Sequence, residues 1–364
     1  MNITKNLWII GVIVLMIVVV VVLVVRGTGA HSTEKSTKTI KIGAIVSLSG
    51  AASTNGEDIK KGMDLAQSDL AKQGINVEID YQDDATNPKD SVSAAQKMLA
   101  TDKPDVFVGP IWSFLIDAAN PIESQAKIVT YSPCSTSEYI NSKSDYLFNG
   151  YIKNSLKELP ATEWLKSMNA KKVAIIASQD SWGDSHMEAY SQAVTDANAT
   201  LVLTERVPFG SEMNSLPTIL LKAKSAGADA ILWTGYDDGA AVFLKKMHEL
   251  GLNIPVLGTD AFKTVISNGN VHLTAQDKIY VFDTERSNEF DAKFSKAYGV
   301  TPGECANTAY DGVMIIADAV QNSKDGNIQD YMRNNVNYSG YAHTYKFDQN
   351  GDIKGGQWIV RELK

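Results

Sequence analysis

VGPIWSFLIDAANPIESQAKIVTYSPCST, residues Val108–Thr136, opens as a strand that ends at Gly109-Pro110 and runs into a short loop with Trp112 and Ser113. The amphipathic run Phe114–Ala126 follows, and then the apolar run Ile128–Tyr131, which breaks at Ser132-Pro133. Two apolar strands joined by a helix of this length read as parallel neighbours with a right-handed crossover. Their carboxyl ends bring two hydroxyls, Ser113 and Thr136, to one sheet edge. In open α/β sheets that edge is where ligands sit.

The residues before this stretch repeat its rhythm. IKIGAIVSLSG (Ile40–Gly50) is a β-rich apolar run ending in Ser-Gly, the form of a buried first strand. In Asn55–Lys72, Ile59, Met63, Ala66 and Leu70 share one helical face, and Gly74 is the expected carboxyl cap. Val77–Thr86 reads as a strand closed by Asp83-Asp84, and Asn87-Pro88 starts a helix that runs to about Ala100. Beyond Asp145–Ile152 a second alternating series begins. Its helices are Ala161–Met168, Asp184–Asn198, Ser215–Ala226 and Ala240–Leu250; its strands are Val173–Ser178, Leu201–Val207, Ala230–Thr234 and Pro255–Gly258, the last followed by Thr259-Asp260. A strand Lys278–Phe282, helices Glu289–Tyr298 and Asn307–Gln321, and strands Tyr341–Phe347 and Gly356–Arg361 complete the chain. Asn350-Gly351 suggests that the last two form a hairpin. The expected fold is α/β, with two doubly wound parallel-sheet lobes and a cleft between them, a common place for small ligands.

Leu7–Val25 is apolar throughout apart from Gly11 and carries no charge. As a helix it would be about 28 Å long, close to the hydrocarbon thickness of a bilayer. It is longer than the apolar core of a usual signal peptide, so an N-terminal transmembrane helix is expected. Thr28-Gly29-Ala30 leaves a cleaved signal open. Residues 1–30 are thus a membrane anchor or signal segment and 31–39 a polar linker. One lobe is expected over 40–151 with 284–340, the other over 152–283 with 341–364. The whole chain has a formal net charge of −8; without residues 1–38 it keeps 30 basic and 41 acidic side chains, a balance of −11. An acidic body without a basic stripe argues against nucleic acid. The only two cysteines, Cys134 and Cys305, are too few for a disulfide framework; one bridge and two free thiols both remain open.

Catalytic and metal signatures are missing. There is no phosphate-binding G-x-x-x-x-G-K-[ST], no G-x-G-x-x-G after the first strand and no G-x-S-x-G elbow. The five histidines have no metal-ligand spacing, and His186 and His248 read as solvated helix positions. Asp83-Asp84 reads as a strand-end turn or cap in preference to a catalytic pair. Neither an enzyme nor a cofactor is expected. Capture of a small zwitterion needs hydroxyls and backbone N–H groups for its carboxylate, and an acid for its ammonium. Ser113, Thr136 and Asp260 supply these types, although each alone reads equally as a helix cap or turn residue.

IKIGAIVSLSG…NGEDIKKGMDLA, IDYQDDATNPKDSVSAAQKML, DVFVGPIWS…IVTYSPCST, and later SQDSWGDS, LGTDAF, TAYDGVMIIADAV and YKFDQNGDIKG resemble, in this order, the type I periplasmic binding proteins of the leucine/isoleucine/valine class. The similarity runs from about residue 40 to the end. It implies two lobes joined by a three-crossover hinge, and an extracytoplasmic solute-binding protein that captures a small amino acid and passes it to an ABC permease in the membrane. The alternative is a sensor or regulator domain of the same fold for an amide, urea-like or other small solute. By motif, Ser113 matches the hydroxyl on the ligand carboxylate, Cys134 a small residue whose backbone meets the ligand, and Thr136 the hydroxyl after it. Trp182 matches an aromatic cover from the second lobe, Tyr236 a further one, and Asp260 the acid for the α-ammonium. Trp112 departs from the small or hydroxyl residue usual beside Ser113, and Asn55 stands where an aromatic is common. A Leu/Ile/Val preference is therefore not carried over.

Overall fold

Six of the seven residues of β1 (Ile40–Val46) are buried, which requires cover on both faces of its sheet. In the computed structural model, which describes residues 39–140, 144–209 and 212–364, β1 is an interior strand of a parallel sheet. β2 (Val77–Asp83), β3 (Val106–Val108), β4 (Val129–Ser132) and β5 (Leu147–Asn149) join it in the order β2-β1-β3-β4-β5. The crossovers are α1 (Ser53–Lys72), α2 (Pro88–Thr101) and α3 (Ser113–Gln125). Gly74 follows α1 at φ +78°, the left-handed position that ends a helix at little cost when glycine fills it. Asn87 caps α2 by accepting from Lys89 N at 2.9 Å. Asp83 and Asp84 are loop clamps: Asp83 accepts from Leu48 N and Ala85 N, Asp84 from Ser47 Oγ and Ser91 Oγ.

The second sheet has the order β13-β10-β9-β8-β6-β7. Its parallel strands are β6 (Lys172–Ser178), β7 (Thr200–Val207), β8 (Ala230–Thr234), β9 (Val256–Gly258) and β10 (Ile279–Asp283), connected through α4 (Glu158–Ser167), α5 (Ser181–Asp196), α6 (Glu212–Ser225), α7 (Asp237–Glu249) and α8 (Ala261–Ser267). After β10 the chain returns to the first lobe as α9 (Asn288–Tyr298), α10 (Ala306–Asn322) and α11 (Ile328–Asn334), and α10 lies along α1.

The carboxyl-terminal hairpin is a correction. β11 (Tyr338–Ser339) pairs β12 (Thr344–Tyr345), and Asn350-Gly351 turns only a short loop in which Phe347 bridges Ile353. That loop lies on the edge of the first sheet, where Asn149 N donates to Gly351 O at 2.7 Å. β13 (Ile359–Glu362) leaves it to pair antiparallel with β10. The last crossing therefore falls after Ile353, beyond the expected boundary at residue 341. The reason is that β12 finds its partner in β11, so no strand is left for residues 359–362 except the open edge of the second sheet. The apolar run Leu7–Val25 lies outside the described residues; among the described residues no helix is long and apolar enough to cross a membrane.

Candidate functional site

The carboxyl ends of β3 and β4 face those of β8 and β9 across one cavity. The structure brings Trp112, Ser113, Cys134 and Thr136 from the first lobe to its wall, and Trp182, Tyr236 and Asp260 from the second. All seven residues singled out in the sequence thus share one cleft, and Asn55 also lines it.

Trp112, not Ser113, occupies the cap position of α3. The Ser113 hydroxyl is buried and lies 2.6 Å from Ser135 Oγ. Between them these two hydroxyls have one proton to spare for a ligand. Thr136 Oγ1 accepts from Trp182 Nε1 at 2.8 Å, so its own proton is also available. Asp260 precedes α8 but makes no side-chain cap bond. Cys134 and Cys305 form a disulfide with their Cα atoms 5.5 Å apart. It ties the loop after β4 to the start of α10.

Aromatic rings make one wall. Tyr236 stacks on Trp112 with centroids 4.4 Å apart and lies 4.8 Å from Trp182. Its ring therefore touches a tryptophan from each lobe. Phe114 and Phe209, 5.4 Å apart, extend the group outward. The Tyr236 hydroxyl donates to Asp180 Oδ2 at 2.7 Å, and Asp180 caps α5 through Gly183 N. The cap thus fixes both Trp182, in the first turn of α5, and the ring that covers it.

Charged groups also line the cavity, and here the sequence reading missed Lys157, Glu304 and Asp237, together with Tyr151 and Trp358. Lys157 ends a 3-10 turn, Asn154–Lys157, and is almost fully buried. Its Nζ lies 2.9 Å from His186 Nε2, 4.1 Å from the Trp358 ring centre and 5.2 Å from that of Phe282. Burial pulls the lysine down to about 7, against the pull of Asp260, Glu138 and Glu304. His186 is wholly buried, which corrects the expectation of a solvated position. Its Nδ1 faces Trp182 O at 3.0 Å, and a carbonyl only accepts, so Nδ1 carries the proton and Nε2 accepts from Lys157. Burial and the neighbouring lysine hold the imidazole neutral, well below its ordinary range. The α5 face that carries it packs on the 3-10 turn, a tertiary contact that helical periodicity does not register. His248 is half-exposed beside Asp277.

Glu304 accepts from Tyr151 OH at 3.2 Å and lies 3.7 Å from Lys263 Nζ. Burial raises its carboxyl, and Lys263 opposes that rise. Lys263 also pairs with Asp283 at 2.8 Å. Burial would lower this lysine, but Glu304, Asp283 and Asp260 outweigh it. Burial, with Asp260 and Asp238, pushes Asp237 up to about 7. Two of the missed residues adjoin positions already singled out, Glu304 beside Cys305 and Asp237 beside Tyr236. Lys157, Tyr151 and Trp358 have no local signal. Among the described residues no cluster of side chains is suited to hold a metal.

A family model described as periplasmic binding protein matches residues 39–353. Leu/Ile/Val-binding protein homolog 3 of Brucella melitensis is 27% identical over 225 residues, a match that spans 60% of this chain and 60% of that protein. The alignment thus leaves about two fifths of that relative's length unmatched. The crystal structure of a leucine binding protein, LivK, from Thermotoga maritima superposes with a TM-score of 0.80 at 21% identity, covering 90% of this chain and 96% of the other. A solute binding protein of an ABC transporter from Rhodopseudomonas palustris, solved in complex with 3,4-dihydroxybenzoic acid, gives 0.77 at 22% identity, covering 90% and 93%.

Proposed function

The chain belongs to the periplasmic binding protein family, whose members bind solutes and are not enzymes, and on that footing we propose that it captures a small amino acid or related zwitterion outside the cytoplasm and delivers it to an ABC importer. The observation that carries this reading is the polarity of the cleft. Hydroxyls with protons to spare, Ser113 and Thr136, stand on the first-lobe wall, and Asp260 stands on the second. A carboxylate suits the first pair and an ammonium the second residue. Cys134 lends its backbone and, beside it, Trp112, Trp182 and Tyr236 form the cover. The three crossings between the sheets, after β5, after β10 and before β13, are the hinge. Leu7–Val25 is the proposed anchor that keeps the binding domain beside its permease.

A thermal-shift panel of the common amino acids on the full chain tests the reading. At least one should raise Tm with a concentration dependence set by mass action. Asp260→Ala should abolish that shift, because the buried ammonium would be left without its acid. A panel with no shift, or a shift only for hydroxybenzoates, would overturn the amino-acid assignment.

A further inference from the structure

Lys157 is an ammonium built into the cleft wall without an anion of its own. It is 3% exposed. Among the described residues no Asp or Glu oxygen lies within ion-pair distance of its Nζ. Its single hydrogen bond goes to a neutral imidazole, and two ring faces, Trp358 and Phe282, close around it. A buried ammonium so placed is costly unless an anion arrives to pair with it. The other acids of the cleft are already committed. Glu304 is shared with Lys263 and Tyr151. Asp237 holds its proton up to about 7. Asp260 is left for the ligand ammonium.

Ser113 and Thr136 approach from the first-sheet edge, whereas Lys157 approaches from the second lobe, on the turn that packs against α5. The turn has a fixed position: Asn154 N donates to Thr136 O at 2.8 Å and Asn154 Nδ2 to Ser185 Oγ at 2.6 Å. Two sets of anion donors, one from each lobe, thus line the cavity that Asp260 also lines. We propose that Lys157 is a ligand contact that pairs with a second carboxylate of the solute, so that the amino acids taken are dicarboxylic. This rests on the amino-acid reading above and names its substrate class. The burial that brings the lysine down to about 7 in this structure would be answered by the arriving carboxylate, which restores its proton.

Calorimetric titration of the full chain with L-aspartate, L-glutamate, L-asparagine, L-glutamine and L-alanine tests it, on wild type, Lys157→Met and Lys157→Gln. Gln keeps a donor for His186 and covers the case in which Met fails to fold. In wild type one acidic amino acid should bind at least about tenfold tighter than its amide. Both variants should lose about a hundredfold for that acid while changing alanine less than about threefold, an asymmetry that a merely structural lysine would not produce. Equal affinity of acids and amides in wild type overturns the proposal. So does a parallel loss for all five ligands, which would mean that Lys157 supports the fold or holds the α-carboxylate. If acids and alanine alike fail to bind, and no amino acid shifts Tm, the amino-acid reading itself has failed.

Discussion

On the inner face of α3, Glu123 is wholly buried, and its Oε2 accepts from Thr130 Oγ1 at 2.8 Å and Asn120 Nδ2 at 3.3 Å. Its Oε1 has no hydrogen-bond partner among the described residues. Burial raises the carboxyl to about 7, with Thr130 and Asn120 pulling the other way. An acid whose folded value lies above its unfolded one holds its proton more tightly when folded. Its contribution to stability is complete below about pH 4.5 and is lost as pH rises through about 7. The loss is on the order of 3 kcal/mol. Glu123→Gln keeps the shape and the acceptor and cannot ionise. The variant should therefore be roughly 1–3 kcal/mol more stable than wild type at pH 8 in urea denaturation, and little different at pH 4.5. Asp237 and Asp311, raised by burial to about 7 and about 6, have the same sign and will leave a residual slope. No gain at pH 8 would mean that Glu123 stays ionised at no cost to the fold.

At the scale of elements, the packing of α10 on α1 depends on a missing side chain. A Cβ on Gly62, in mid-α1, would stand 2.1 Å from the carbonyl oxygen of Ala306, the first residue of α10. That neighbour is backbone and cannot rotate aside. Gly62→Ala gains up to about 1 kcal/mol of helix propensity but forces the helices apart, at about 1–3 kcal/mol. The expected result is a lower urea midpoint with an unchanged slope, and weaker ligand binding, because Glu304 and Cys305 enter the cavity from the start of α10. A stabilised variant would show that the helices slide without strain. The elements themselves were largely legible. Ile42–Val46 and Ala230–Trp233 are unbroken apolar runs, as strands covered on both faces must be, and Asn87-Pro88 marks a helix start by its own chemistry. β5 and α11 were not legible, since three and seven residues are too short for a period to emerge. The hairpin failed because Asn350-Gly351 specifies a turn but not which strands flank it. In the site, residues at strand ends could be placed by topology, whereas Lys157 and His186 meet only through the packing of a 3-10 turn on α5.

Across the whole molecule, the two lobes touch through contacts outside the cavity as well as inside it. The Ser137 hydroxyl donates to Ser181 O at 3.0 Å, and Tyr139 donates to Glu188 on α5. Burial and Glu188 push the Tyr139 phenol up to about 12, so it remains a donor at neutral pH. Ser137 and Tyr139 do not line the cavity, so their removal can reach the ligand only through the equilibrium between open and closed lobes. The third crossing is suited to such movement: Gly355 and Gly356 have φ values of +104° and +100°, and a Cβ on Gly356 would meet Ile152 Cγ1, on the first crossing, at 2.5 Å. Each lost hydrogen bond is worth about 0.5–1.5 kcal/mol. The double variant Ser137→Ala, Tyr139→Phe should therefore bind roughly five- to 150-fold more weakly, with most of the change in a faster off-rate, since release requires opening. Stopped-flow fluorescence of the cleft tryptophans would read the rates. Small-angle scattering should show a larger radius of gyration for the ligand-free variant, returning to the wild-type value at saturating ligand. An affinity loss carried entirely by the on-rate, or scattering unchanged in both states, would mean that these contacts do not hold the lobes closed and that the ligand alone does so.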